Sequence, residues 1–237
     1  LYIESYPLSV LPNSRMNEPE YREKYGLTTT TVKLPFGDVI DEYEQMVVST
    51  NTMSFEEASR AWIFTWMVRS FHSLGFLHYV ANFIVKEYDV SYFEFYKNIE
   101  KSIRNSNGII GQIYKKQQEY IANKEFSKFY LSNWWVTTVG QESRSEFYSE
   151  MKNFVKEHYP HHFIDELFDF QNLAHYNPLI SYPVVKNFSY NFVDMRDGSC
   201  QITLNHQGTG THKTYKSYIS LSRSAVWKCE AKVAHHE

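Results

Sequence analysis

From Ser9 to Pro35 the chain reads SVLPNSRMNEPEYREKYGLTTTTVKLP, and three kinds of local structure meet in it. Val10 and Leu11 close an apolar run, and Pro12-Asn13 break it with turn chemistry. Glu18-Pro19-Glu20 then opens a short helix, with proline early, acids in the first turn and Gly26 placed for a left-handed C-terminal cap. Thr28 to Val32 is a β-branched run that suits a strand or extended loop, and residues 39–49, with Val47-Val48, read the same way. Upstream, Leu1 to Leu11 carries Pro7 and reads as a strand followed by an extended loop.

Downstream the pattern turns helical. Ser54-Phe55-Glu56-Glu57 is a capping box, in which the serine hydroxyl accepts from a free amide and Glu57 reaches back. Behind it Ile63, Met67, Ser70, Leu74, Leu77, Ala81 and Ile84 keep the helical period, and Trp62, Trp66, Phe76, Val80 and Phe83 widen the apolar face. The expectation is one buried central helix, or a helix pair broken near Gly75. Further helices are expected at about 91–105, 109–131, 141–158 and 162–175. After Asn177-Pro178 the texture changes. Pro183 with its two valines, Phe188 to Val193, Gln201 to Leu204 and Tyr215 to Leu221 read as strands, with Asp197-Gly198 as a hairpin turn. The fold expected is α+β, mostly α: a helical body followed by a small C-terminal antiparallel sheet.

Composition narrows the function classes. Nineteen Tyr, 17 Phe and 5 Trp make 17% of the 237 residues, ring surface that must pack or bind. With 24 basic against 27 acidic residues the net charge is -3, both signs dispersed, which argues against a nucleic-acid or anionic-membrane binder. The longest apolar run, Leu74 to Val85, is interrupted by Gly75, His78 and Asn82 and does not suit a bilayer. No basic stretch followed by an apolar core marks a leader peptide. Cys200 and Cys229 match no zinc or iron–sulfur spacing; their separation allows a single disulfide without demanding one, and free thiols in a reducing cytosol are the expectation, hence a cytoplasmic protein. The sequon Asn187-Phe188-Ser189 is of chance frequency.

Phosphate loops, nucleophile elbows and His-Glu-x-x-His are absent from the sequence. His158, His161 and His162 flank Pro160, which disfavours one helix presenting all three, so a polar helix junction is expected there and no metal site. Arg69 and His72 share a helix face and can form a polar pocket wall, with His78 nearby; a paired buried arginine and a hydrogen-bonded core histidine are the commoner situation. Asn133-Trp134-Trp135 offers two indoles, of which one can line a groove, although packing is the favoured use.

The stretch Leu11 to Gly26 also resembles the segment just past the barrel in cobalamin-binding radical SAM proteins, the iron–sulfur oxidoreductases and methyltransferases. The resemblance continues through Val48 to Ser54, the helix Trp62 to Tyr79, and Tyr88 to Tyr96, under half of the chain. In that family a Cys-x-x-x-Cys-x-x-Cys motif lies in the barrel and a cobalamin domain precedes it. This sequence has neither, and its two cysteines cannot hold the [4Fe–4S] centre that cleaves S-adenosylmethionine. The resemblance therefore implies a non-catalytic C-terminal accessory domain. Residues 1–11 would be a remnant of the barrel, 12–177 the helical domain and 178–237 a small β region. The cluster, S-adenosylmethionine and possibly cobalamin would belong to the parent, whose barrel would be this chain's partner around an organic small-molecule substrate. Asn13, Arg15, Trp66, Arg69 and His72 are the groove or interface candidates. As a severed strand, Leu1 to Leu11 is expected to be loosely ordered, or paired with another copy or the C-terminal sheet. The rival expectation is a stand-alone interaction module whose exposed aromatics dock a protein. A hydrolase pairing an acid with a histidine has no motif behind it.

Overall fold

The computed structural model describes residues 7–33, 40–129, 143–175, 177, 180–206 and 229–234. It is α+β and mostly helical. The Pro12-Asn13 turn is closed by Ser14 N donating to Leu11 O at 3.0 Å and by Asn17 Nδ2 reaching Pro12 O at 2.9 Å. A 3₁₀ turn, Arg15–Asn17, leads into α1, Pro19–Tyr25, which has proline at its start and Gly26 as its cap at φ 58°. There an added Cβ would also sit 3.1 Å from the Asn51 backbone nitrogen, so both conformation and space call for glycine.

Three strands frame α1. β1 (Ser9–Val10) and β2 (Thr28–Lys33) flank β3 (Tyr43–Ser49) in an antiparallel sheet of order β1-β3-β2. Ser9 faces Met46 and Val10 faces Gln45. The expectation for the N-terminal stretch is thus corrected for its described part: Ser9 and Val10 pair with β3 of their own chain. Alternation along β3 sends Met46 and Val48, with Val32 of β2, into the main core.

α2, Phe55–Val68, starts at the Ser54 capping box as expected, with Glu57 N to Ser54 Oγ at 3.2 Å and Ser54 N to Glu57 Oε2 at 2.8 Å. It runs into a π-helical turn, Arg69–Ser73, in which Leu74 N reaches Arg69 O at 2.9 Å. Gly75 at φ 88° then reverses the chain into α3, His78–Tyr88. The helix pair broken near Gly75 is therefore the arrangement present.

α4, Tyr92–Arg104, opens on a second capping box, Ser91 with Glu94. α5 is Ile109–Ala122, α6 Arg144–His158 and α7 Ile164–Ala174. The expected helix 109–131 is interrupted: Lys124 takes a positive φ of 59°, and helix resumes at 126–129.

β4 (Val184–Asn191), β5 (Arg196–His206) and β6 (Cys229–Ala234) form an antiparallel sheet in that order. Its hairpin turn corrects the expected one. Asn191 faces Arg196, so the loop is Phe192–Met195, and Asn191 Oδ1 accepts from Val193 N at 3.1 Å and Asp194 N at 3.0 Å. Asp197 and Gly198 lie inside β5, where the register slips between Phe188 and Tyr190, and Gly198 supplies the φ of 118° at that bulge. Ser189 opposite donates its amide and hydroxyl to Glu166 of α7, at 2.7 and 2.8 Å. Phe188, Tyr190, Phe192, Cys200, Ile202 and Leu204 join the helices in one core. The expected strand Tyr215–Leu221 and the pair Trp134-Trp135 lie outside the described residues, as do Leu1 to Tyr6.

Candidate functional site

The five sequence candidates fall into two groups. Trp66, Arg69 and His72 follow one another along the end of α2 and the π-helical turn. Asn13 and Arg15 are exposed on the turn ahead of α1. Trp66 is 7% exposed and packs in the core, with its indole nitrogen buried and unpartnered. His72 is 3% exposed and is the centre of a polar junction.

That junction joins the π-helical turn to the first turns of α3 and α4. His72 Nδ1 lies 3.1 Å from Tyr96 Oη, and its ring stands 4.6 Å from that of His78 and 5.2 Å from that of Tyr92. Asn82 Nδ2 meets His78 Nε2 at 3.2 Å, and Tyr92 Oη donates to Asn82 Oδ1 at 2.9 Å. Burial, and then the neighbouring His78, push the His72 pKa down to about 4. Burial also lowers His78, against the raising effect of its hydrogen bond to the His72 backbone. The Tyr96 phenol is raised well above its ordinary range by burial. At neutral pH His72, His78 and Tyr96 are thus uncharged, able to exchange hydrogen bonds within the junction.

α7 fastens the same junction. Gln171, fully buried, donates from Nε2 to Gly75 O at 2.7 Å and accepts from Tyr79 N at 2.8 Å. One side chain thereby holds the glycine turn and caps the free amides of α3. Tyr96, Asn82, Tyr92 and Gln171 were not expected as site residues. Their partners are set by tertiary packing, and no local spacing signals them.

The histidines of the α6–α7 connection make other contacts. His158 Nδ1 turns to Phe154 O of its own helix at 3.0 Å, His161 Nδ1 accepts from Phe163 N at 3.2 Å, and His161 stacks on His162 at 4.4 Å. These bonds are local, within α6 or the turn that leads into α7. Among the described residues no group of three His, Cys, Asp or Glu is arranged to hold a metal ion. Nor is any described helix long and apolar enough to cross a membrane. A recess of about 390 Å³ at the β5 bulge is lined by Asn191, Arg196, Asp197, Gly198, Ser199 and Cys200. Arg196 is engaged there by Asp194 at 3.2 Å, and burial raises the Cys200 thiol pKa, which makes it a poor nucleophile.

The fold is therefore α+β, and among the described residues its most developed polar site is a histidine–tyrosine junction. No family model matches the chain. It is similar to the cobalamin-dependent radical SAM methyltransferase TokK of Streptomyces tokunonensis, 28% identical over 119 residues that make 48% of this chain and 18% of TokK. It is equally similar to the 2-(S-pantetheinyl)-carbapenam-3-carboxylate methyltransferase of Streptantibioticus cattleyicolor, 28% identical over 123 residues, 49% of this chain and 18% of that enzyme. The matched region spans less than a fifth of either relative. At this level the likeness relates the chain to radical SAM methyltransferases, in keeping with the resemblance read from Leu11 to Tyr96.

Proposed function

We propose that this chain is an accessory domain of a cobalamin-dependent radical SAM enzyme of the methyltransferase kind, packed beside the barrel of the same polypeptide and helping to enclose an organic substrate. The observation that carries this reading is the 28% identity over about half of the chain to two methyltransferases. The [4Fe–4S] cluster, S-adenosylmethionine and cobalamin then belong to other parts of the parent protein. The donor set agrees: two cysteines in the whole sequence cannot supply the three thiolates of such a cluster. The domain takes no radical step itself; its part is to cover the substrate and keep water from a reactive intermediate. The second relative's substrate suggests the class, a small carboxylate bearing a thioether-linked arm.

In this reading residues 1–11 lead out of the barrel, and the pairing of Ser9 and Val10 with β3 fastens the exit segment to the helical domain, 12–177, with 178–237 packed on it. Asn13 and Arg15 belong to the barrel interface. They sit at the end of the N-terminal sheet where Leu11, Ile40 and Tyr43 are 65, 74 and 61% exposed, apolar surface suited to a covering partner. Trp66, Arg69 and His72 form or support the substrate side. Intact mass and iron content of the natural protein test the proposal. A much longer polypeptide with an upstream Cys-x-x-x-Cys-x-x-Cys segment and bound iron is expected. A natural chain of this length alone, iron-free and seated on another protein, would favour an interaction module instead.

A further inference from the structure

The outer end of the histidine junction has a readable polarity. The Tyr92 hydroxyl donates inward to Asn82 Oδ1, 2.9 Å away, and the Asn82 Nδ2 donor on the other side of the amide faces His78 Nε2 at 3.2 Å. The remaining capacity of the Tyr92 oxygen is as an acceptor. It is the outer end of the series, since Tyr92 is 39% exposed while His72 is buried.

Beside it lies an aromatic shelf. Phe64, Val68 and His72 follow at i, i+4 and i+8 along α2 and the π-helical turn, one stripe of surface. Tyr92 packs over His72 at 5.2 Å, and Phe93, 60% exposed, packs over Phe64 at 5.6 Å. Lys97 Nζ stands 5.7 Å from the Phe93 ring centroid. The shelf thus offers an apolar aromatic surface ending in one oriented hydrogen-bond acceptor.

We propose that Tyr92, Phe93 and Phe64 form a binding site for a small organic molecule carrying a secondary amide, its N–H received by Tyr92 Oη and its apolar chain lying along Phe93 and Phe64. The proposal rests on reading this face as the substrate side of the domain. An amide N–H meets the free lone pair, whereas a carboxylate or ester oxygen there faces another oxygen with no proton between them.

The test is an NMR titration of the protein with N-butylacetamide, N-butyl-N-methylacetamide and butyl acetate, following the Tyr92 and Phe93 ring signals. The secondary amide is expected to shift both rings and to bind at least threefold more tightly than the two probes that lack an N–H. Tyr92→Phe is expected to bring its binding to their level while the circular dichroism spectrum is unchanged. Equal binding of all three probes, shifts that bypass these rings, or a Tyr92→Phe protein that keeps the preference would overturn the site. Failure here leaves the accessory-domain reading standing, because mass and iron content test that separately.

Discussion

In the helical body, breaks in the backbone are closed by side chains from distant helices. Gln171 of α7 serves Gly75 and Tyr79, Glu150 of α6 accepts from Ile109 N at 2.6 Å at the start of α5, and Arg144 donates to the Asn172 and His175 carbonyls, both at 2.7 Å, at the end of α7. The N-terminal sheet is built differently. One face packs into the core through Val32, Met46 and Val48, while Leu11, Ile40 and Tyr43 stand exposed at its far end. The body is closed by its own polar groups, and the sheet end leaves apolar surface outside. The difference separates buried groups of the body that serve stability from exposed residues of the sheet end that are free to serve contact, and single substitutions can break it.

The largest effect belongs to the body. Trp66→Ala is expected to destabilise the protein by about 3–5 kcal/mol, the range for deleting a large core aromatic. Urea denaturation measures it. A loss under about 1 kcal/mol would move Trp66 from the core to the surface and erase the contrast at its strongest point.

Acid should act on the same region. His72 has a folded pKa of about 4 against an ordinary 6.5, so the unfolded chain binds the proton more readily. Its contribution to stability is complete above pH 6.5 and is lost as pH falls toward 4, about 3 kcal/mol at 1.36 kcal/mol per pKa unit. His72→Gln, which keeps a partner for Tyr96, is expected to flatten the loss between pH 7 and 4 by that amount. An unchanged slope would place the acid sensitivity elsewhere.

How far the sequence announced this contrast depends on the range of the interactions. Capping boxes act over a few residues, and the Ser54–Glu57 box, the α1 cap at Gly26 and the break at Gly75 were all readable. So was the mostly helical α+β class. The hairpin misled because Asp197-Gly198 carries the strongest local turn signal, yet the Asn191 side chain organises the loop earlier and the glycine serves a bulge. The helix expected over 109–131 failed at Lys124, a residue with no local reason to turn left-handed. In the site, His72 stood out as a polar residue in an apolar stretch. Gln171 did not, because its partner Gly75 lies 96 residues away.

Gln171→Leu tests that long-range link. It leaves the Gly75 carbonyl and the Tyr79 amide without their partner, and each buried unsatisfied group costs about 1–3 kcal/mol, partly recovered by relaxation. A net loss of about 2 kcal/mol is expected, together with faster hydrogen exchange at Tyr79. Exchange that stays slow there would mean that α3 is capped without α7.

The smallest effect should come from the other side of the comparison. Ile40→Ser and Tyr43→Ser remove apolar side chains that are 74 and 61% exposed, so little buried surface is lost on either change. Tyr43 faces Lys33 across β2 and β3, and serine at this strand end gives up some cross-strand packing and β propensity. Stability is expected to stay within about 0.5 kcal/mol of the parent chain, as for surface positions generally. A loss of several times that, seen in the same urea experiment, would show that the sheet end is covered within this chain. Its exposed residues would then belong with the body's stability, and the interface assigned to Asn13 and Arg15 would have to be sought on another face.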